Sequence, residues 1–179
     1  MQIQQAEIME LATPFLVLEC QGRDLEALAL NARSHSNVAR TLRGSKCRTK
    51  QAFFDEIAAA FQFPSYFGEN WDAFSECMND LTDWLPADSY LLFISDADQL
   101  LSAEPYKEFE TLMGILNRTA SRWKTGSNHA RFTRATKGDE EIKEIGFAVV
   151  LQHAPETEPT GNFKAWLEET DTQRLVRSK

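Results

Sequence analysis

Between Gln51 and Tyr106 the chain contains no lysine and no arginine, yet the same stretch holds eleven carboxylates. Cysteine is scarce: Cys20, Cys47 and Cys77 stand far apart, with no CxxC and no Cys–His spacing. A zinc site is therefore not expected, nor is a disulfide framework. An odd cysteine count without a framework suits a reducing compartment. The three histidines (His35, His129 and His153) are scattered, and neither a nucleophile signature nor a glycine-rich phosphate loop is present. No apolar run reaches the length of a membrane span. The opening MQIQQAEIMELATPF has no basic region and no long apolar core, so a secretory leader is not expected there. A cytoplasmic location is the expectation. The basic footprint of a nucleic-acid binder is also missing, because the formal net charge is −8 and the pI about 4.9. The same charge disfavours docking on anionic membranes.

What is present fits one domain with appendages, since 179 residues lie in the range of a single core. Apolar runs at Phe15–Cys20, Tyr90–Ser95 and Phe147–Gln152 read as strands, and Ser36–Arg43 reads as a weaker one. Between them lie helical patterns at 23–32, 48–62, 70–84 and 105–123. Pro64 is expected to close the second, and Asn70 to cap the third. Asp96 or Asp98 is a candidate cap for a further helix, and a last helix is expected over 162–175. Strands alternating with helices predict an α/β layer fold with a small, mainly parallel sheet. The expected division is an N-terminal strand–helix extension at 1–35, a central domain at 36–152, and a linker with a C-terminal helix at 153–179. Within the central domain, 124–145 reads as a basic exposed insertion.

The helix after Asn70 carries the sharpest signal. At 100° per residue, Trp71, Phe74, Cys77, Met78 and Leu81 gather on one face, while Asp72, Glu76, Asp80 and Asp83 gather on the other. Acids on a surface helix often do no more than keep it soluble. Here no lysine offsets them, and like charges at i,i+4 cost about 0.2–0.5 kcal/mol per pair. Asp80 and Asp83 also lie near the expected negative end of the helix dipole. Such a face opposes folding and favours a basic partner. In the loop before the helix, Gly68 is the natural residue for a left-handed turn. Tyr66 matters there only if it is exposed, because aromatics before a helix commonly staple it to the core. Cys77 falls on the apolar face and reads as packing.

The run PSYFGENWDAFSECMNDL, from Pro64 to Leu81, resembles the barstar family of ribonuclease inhibitors. The resemblance rests on an aromatic pair (Tyr66, Phe67), then Gly68-Glu69-Asn70, apolar Trp71, Asp72-Ala73, and Glu76 followed by Cys77. It extends over about Ser36 to Gln152. It implies a small parallel sheet packed against helices. It also implies a protein that blocks a secreted ribonuclease inside the cell that makes it, an immunity or antitoxin role. Asp72 and the next acid would enter the nuclease active site in place of RNA phosphates. Tyr66 and the loop through Asn70 would line the contact. The positions so implicated are Tyr66, Gly68, Asn70, Trp71, Asp72, Ser75, Glu76 and Asp80. The sequence departs from the pattern in three places: Glu76 stands where barstar has Asp, Ser75 where it has Trp, and Arg118 near where it has an acid on its late helix.

The partner implied is a basic ribonuclease or nuclease toxin, with no direct nucleic-acid contact, no metal and no cofactor. A second reading is an interaction module of the same fold that binds a basic protein other than a nuclease. A third is an enzyme, since carboxylates can hydrolyse glycosides or hold Mg²⁺. Acids along one helix face form a ridge rather than flanking a substrate, which disfavours it. Basic residues cluster on either side of the acidic stretch, at 40–50 and at 118–143. They could be a solvated face, internal partners for the acids, or added contacts with the nuclease.

Overall fold

The computed structural model describes residues 13–34, 36–125, 145–155 and 157–170, and the backbone of 174–176. The chain runs β1 (Phe15–Glu19), α1 (Gly22–Asn31), β2 (Asn37–Arg43), α2 (Lys50–Phe61), α3 (Trp71–Asn79), β3 (Ser89–Ser95), α4 (Tyr106–Lys124), β4 (Gly146–His153), α5 (Gly161–Glu169) and β5 (Arg174–Val176). Short 3₁₀ turns follow β2, α3 and β3, at Gly44–Lys46, Leu81–Asp83 and Ala97–Gln99. The five strands form one parallel sheet in the order β2-β3-β4-β1-β5. The fold is α/β, as the alternation of strand and helix patterns predicts.

Strand alternation sorts the side chains into two cores. On one face Leu16, Leu18, Leu91, Phe93, Ala148 and Val150 pack with Leu25 and Ala29 of α1. On the other, Val17, Leu42, Tyr90, Leu92, Ile94, Phe147 and Val149 meet the apolar sides of α2, α3, α4 and α5. The sheet is central and buried on both faces, so β3 is almost wholly apolar (YLLFIS) and is enclosed from end to end except at Ser95. β1 is paired on both sides, with β4 and β5, and so lies inside the sheet.

Several boundaries differ from the sequence expectation. The last helix stops at Glu169, where Thr170 turns extended (φ −116°, ψ 141°), and Arg174–Val176 becomes an edge strand beside β1. Three residues are too few to show a period, and the open edge of β1 supplies their template. Helix α2 ends three residues before Pro64, because Gln62 turns left-handed (φ 54°) and its N–H donates to Ala58 O. Neither Asp96 nor Asp98 caps a long helix; Asp96 sits at φ 49° before one 3₁₀ turn. Gly44 has no substitute at its position, since a Cβ there would collide with the carbonyl oxygens of Asp96 and Ser95. The basic segment expected over 124–145 falls, apart from its ends, outside the described residues, as does His129.

Candidate functional site

The site is built on α3 and the loop before it. Asn70 caps α3 as the sequence predicts: its side-chain oxygen accepts from Ala73 N at 2.9 Å. The helix is shorter than expected, ending at Asn79 rather than near Trp84. Leu81 is pulled into the core with no exposed surface, and the carbonyls of that turn are taken by side chains. Asn79 Nδ2 donates to Ser75 O at 2.7 Å, Trp123 Nε1 to Met78 O at 3.2 Å, and Tyr90 Oη to Leu85 O at 2.7 Å.

The loop is clamped from beneath by aromatic rings. Phe67 packs edge-on against Phe54 (5.7 Å between centroids) and Phe63 (5.0 Å). Trp71 packs on Phe54 (4.9 Å) and Phe53 (5.8 Å). Its indole Nε1 donates to Glu108 Oε2 on α4 at 2.7 Å. Lys50 Nζ meets the same oxygen at 3.2 Å. These two partners, the indole N–H foremost, hold the Glu108 carboxyl below the usual carboxylate range. On the other side Gln51 of α2 donates to Glu69 Oε2 at 2.7 Å. The loop is thus fastened to both neighbouring helices.

The left-handed residue of the loop is Glu69 (φ 48°), not Gly68. A non-glycine residue in that region costs on the order of 1 kcal/mol or more, and the Gln51 contact helps hold it. At Gly68 the constraint is crowding by the Asn70 side chain instead. A Cβ there would sit 3.2 Å from Asn70 Nδ2, which donates to Gly68 O.

The implicated residues therefore divide. Tyr66 is 77% exposed and projects outward. Gly68, Asn70, Asp72 and Glu76 are exposed beside it. Trp71 is half-buried and turned into the aromatic cluster, where it fixes the first turn of α3. Ser75 is half-buried, one turn after Trp71 on the same side of α3. Asp80 has left helical geometry (φ −107°) and is half-buried, so the four-acid face of a longer helix is not formed. Asp83 is exposed, but on the following 3₁₀ turn. Among the described residues no ion pair reaches Asp72, Glu76 or Asp83.

Three of the basic residues before the acidic stretch are occupied elsewhere. Arg43 pairs with Glu56 at 2.7 Å, Lys50 with Glu108, and Arg40 Nε donates to Ala60 O at 2.6 Å. The role of Glu108 was not legible in the sequence, because its contact spans 37 positions. The thiol of Cys77 is buried beneath the acids, and burial, then Asp80 and Glu76, push it up to about 11. No group of three His, Cys, Asp or Glu among the described residues could hold a metal ion. None of the described helices is long and apolar enough to cross a membrane.

What the geometry offers is a braced helix start with an exposed aromatic and two carboxylates one turn apart that make no ion pair among the described residues. A family model described as Barstar (barnase inhibitor) matches residues 37–152, well over half of the chain. No curated protein matches it. β1, α1, α5 and β5 lie outside the matched range.

Proposed function

This chain belongs to the barstar family, and from that membership we propose that it is an intracellular inhibitor that plugs the active site of a basic ribonuclease. The observation that carries the reading is the pair Asp72 and Glu76: exposed on α3, one turn apart, and without an internal cation among the described residues. A ribonuclease site gathers Arg, Lys and His to hold phosphate. A carboxylate on a fixed helix meets a guanidinium through two parallel hydrogen bonds. Each charge-assisted bond contributes about 1.5–3 kcal/mol net. The Trp71–Glu108 and Gln51–Glu69 contacts order the platform beforehand, so docking costs little side-chain and loop freedom. Tyr66, a large exposed aromatic next to the acids, is suited to a binding hot spot. The uncompensated charge also steers encounter at low salt. Three free, buried cysteines accord with a reducing compartment.

The test is inhibition of barnase, the enzyme in the family description, and of any basic nuclease encoded beside the chain. Replacing Asp72 and Glu76 together with alanine should leave association within an order of magnitude and speed dissociation. The loss should be about 2–5 kcal/mol, as for truncated charge pairs at an interface. An inhibitory complex whose dissociation is indifferent to the double substitution sinks the assignment of these acids. A second reading, motivated by the same acidic face, is a basic partner that is not a nuclease. Capture of only such partners, with no nuclease inhibited, would decide for it.

A further inference from the structure

We infer that the binding face is bipolar, with α3 presenting Asp72 and Glu76 on one bank and α4 presenting Arg118 and Arg122 on the other. The partner protein must then carry a carboxylate rim beside its basic cleft. The inference deepens the proposed function and rests on it.

Helices α3 and α4 lie side by side and are tied at both ends. Trp71 Nε1 bonds Glu108 at one end, and Trp123 Nε1 bonds Met78 O at the other. These contacts fix which sides meet. At 100° per residue, Thr119 and Arg122 fall within roughly 40° of Glu108 around α4, and Arg118 borders that stripe on its outer side. On α3, Trp71, Ser75 and Asn79 form the side towards α4, and Asp72 and Glu76 come next towards solvent. Both arginines are exposed. Among the described residues neither makes an ion pair.

The seam between the banks is polar where packing alone would make it apolar. Asn79 and Thr119 are 8% and 1% exposed, and among the described residues Asn79 Oδ1 and Thr119 Oγ1 have no hydrogen-bond partner. An unmet buried polar atom is destabilising. Local departures from optimal packing of this kind concentrate beside functional sites.

Charge then selects the partner. A wholly basic surface lowered onto Asp72 and Glu76 would bring its rim against Arg118 and Arg122. Like charges set face to face at an interface weaken binding. A surface with Arg or Lys opposite α3 and Asp or Glu opposite α4 meets attraction on both banks. The arginines thus act as a filter, rejecting basic proteins that the acids alone would attract.

The experiment needs no known partner. One displayed library of random disulfide-closed peptides is selected against three baits: the wild-type chain, the Arg118→Glu/Arg122→Glu chain and the Asp72→Ala/Glu76→Ala chain. Wild-type selection should enrich peptides that combine Arg or Lys with Asp or Glu. Replacing the acid of such a peptide with alanine should weaken binding to the wild type roughly fivefold, and leave binding to the arginine-reversed chain unchanged or improved. Enrichment of the same wholly basic peptides by the wild-type and arginine-reversed chains overturns the inference. Failure of the proposed function reads differently: the Asp72→Ala/Glu76→Ala chain would keep the wild-type peptides, whatever the arginines do.

Discussion

Replacing Glu108 with glutamine should loosen the start of α3 from a distance of 37 residues along the chain. The carboxylate accepts the Trp71 indole N–H at 2.7 Å and faces Lys50 Nζ at 3.2 Å. A hydrogen bond to a charged acceptor contributes about 1.5–3 kcal/mol. An exposed ion pair adds roughly 0.2–1 kcal/mol. The Glu108 side chain is 27% exposed, which moves both to the lower end. Glutamine keeps a neutral acceptor but loses the charge, so the expected loss is about 1 kcal/mol. Trp71→Phe keeps much of the ring packing on Phe53 and Phe54 and removes the donor, for a loss of about 1–2 kcal/mol. Because the two changes delete one contact, the double variant should fall short of the sum by about 1 kcal/mol. Urea unfolding of the four proteins measures this.

The pH dependence has a definite sign. The folded-state pKa of Glu108 is depressed. Its contribution is therefore complete above the ordinary carboxylate range, and is lost as pH falls through the lower folded value. Glu108→Gln should flatten the acid limb of the stability curve. Strict additivity of the two substitutions, with an unchanged acid limb, would refute the coupling and with it the account of how α3 is held.

Gln62→Gly should stabilise the protein by about 0.5–1 kcal/mol, seen as a raised urea midpoint, because the residue sits at φ 54° at the end of α2. Asn70→Ala should cost about 1 kcal/mol in the same assay, by removing the oxygen that receives Ala73 N–H. The two acids should differ in the free protein. Glu76→Gln, near the negative end of α3, should stabilise by a few tenths of a kcal/mol, and Asp72→Asn, in the first turn, should destabilise by a similar amount. Both gaps should shrink in high salt. The three thiols are buried and pushed up to about 11, 12 and 11 for Cys20, Cys47 and Cys77, burial being the largest cause in each. A disulfide reagent at pH 8 should therefore label the chain only as fast as it unfolds.

The amino-acid sequence alone determined the class of fold, the cap at Asn70 and the exposure of Asp72 and Glu76. Each follows from local chemistry: alternating strand and helix periods, a side chain able to receive an orphan amide, and polar residues opposite an apolar stripe. The sequence also carried the family resemblance in one contiguous run. Tertiary structure decided the rest. It ended α3 early, at Asn79, with Ser75 O and Met78 O taken by the side chains of Asn79 and Trp123. It turned Trp71 inward, gave the left-handed position to Glu69, and drew residues 174–176 into the sheet. These outcomes depend on partners far away in the chain, namely Glu108, Trp123, Gln51 and the edge of β1. No window of neighbouring residues contains the contacts that fix them.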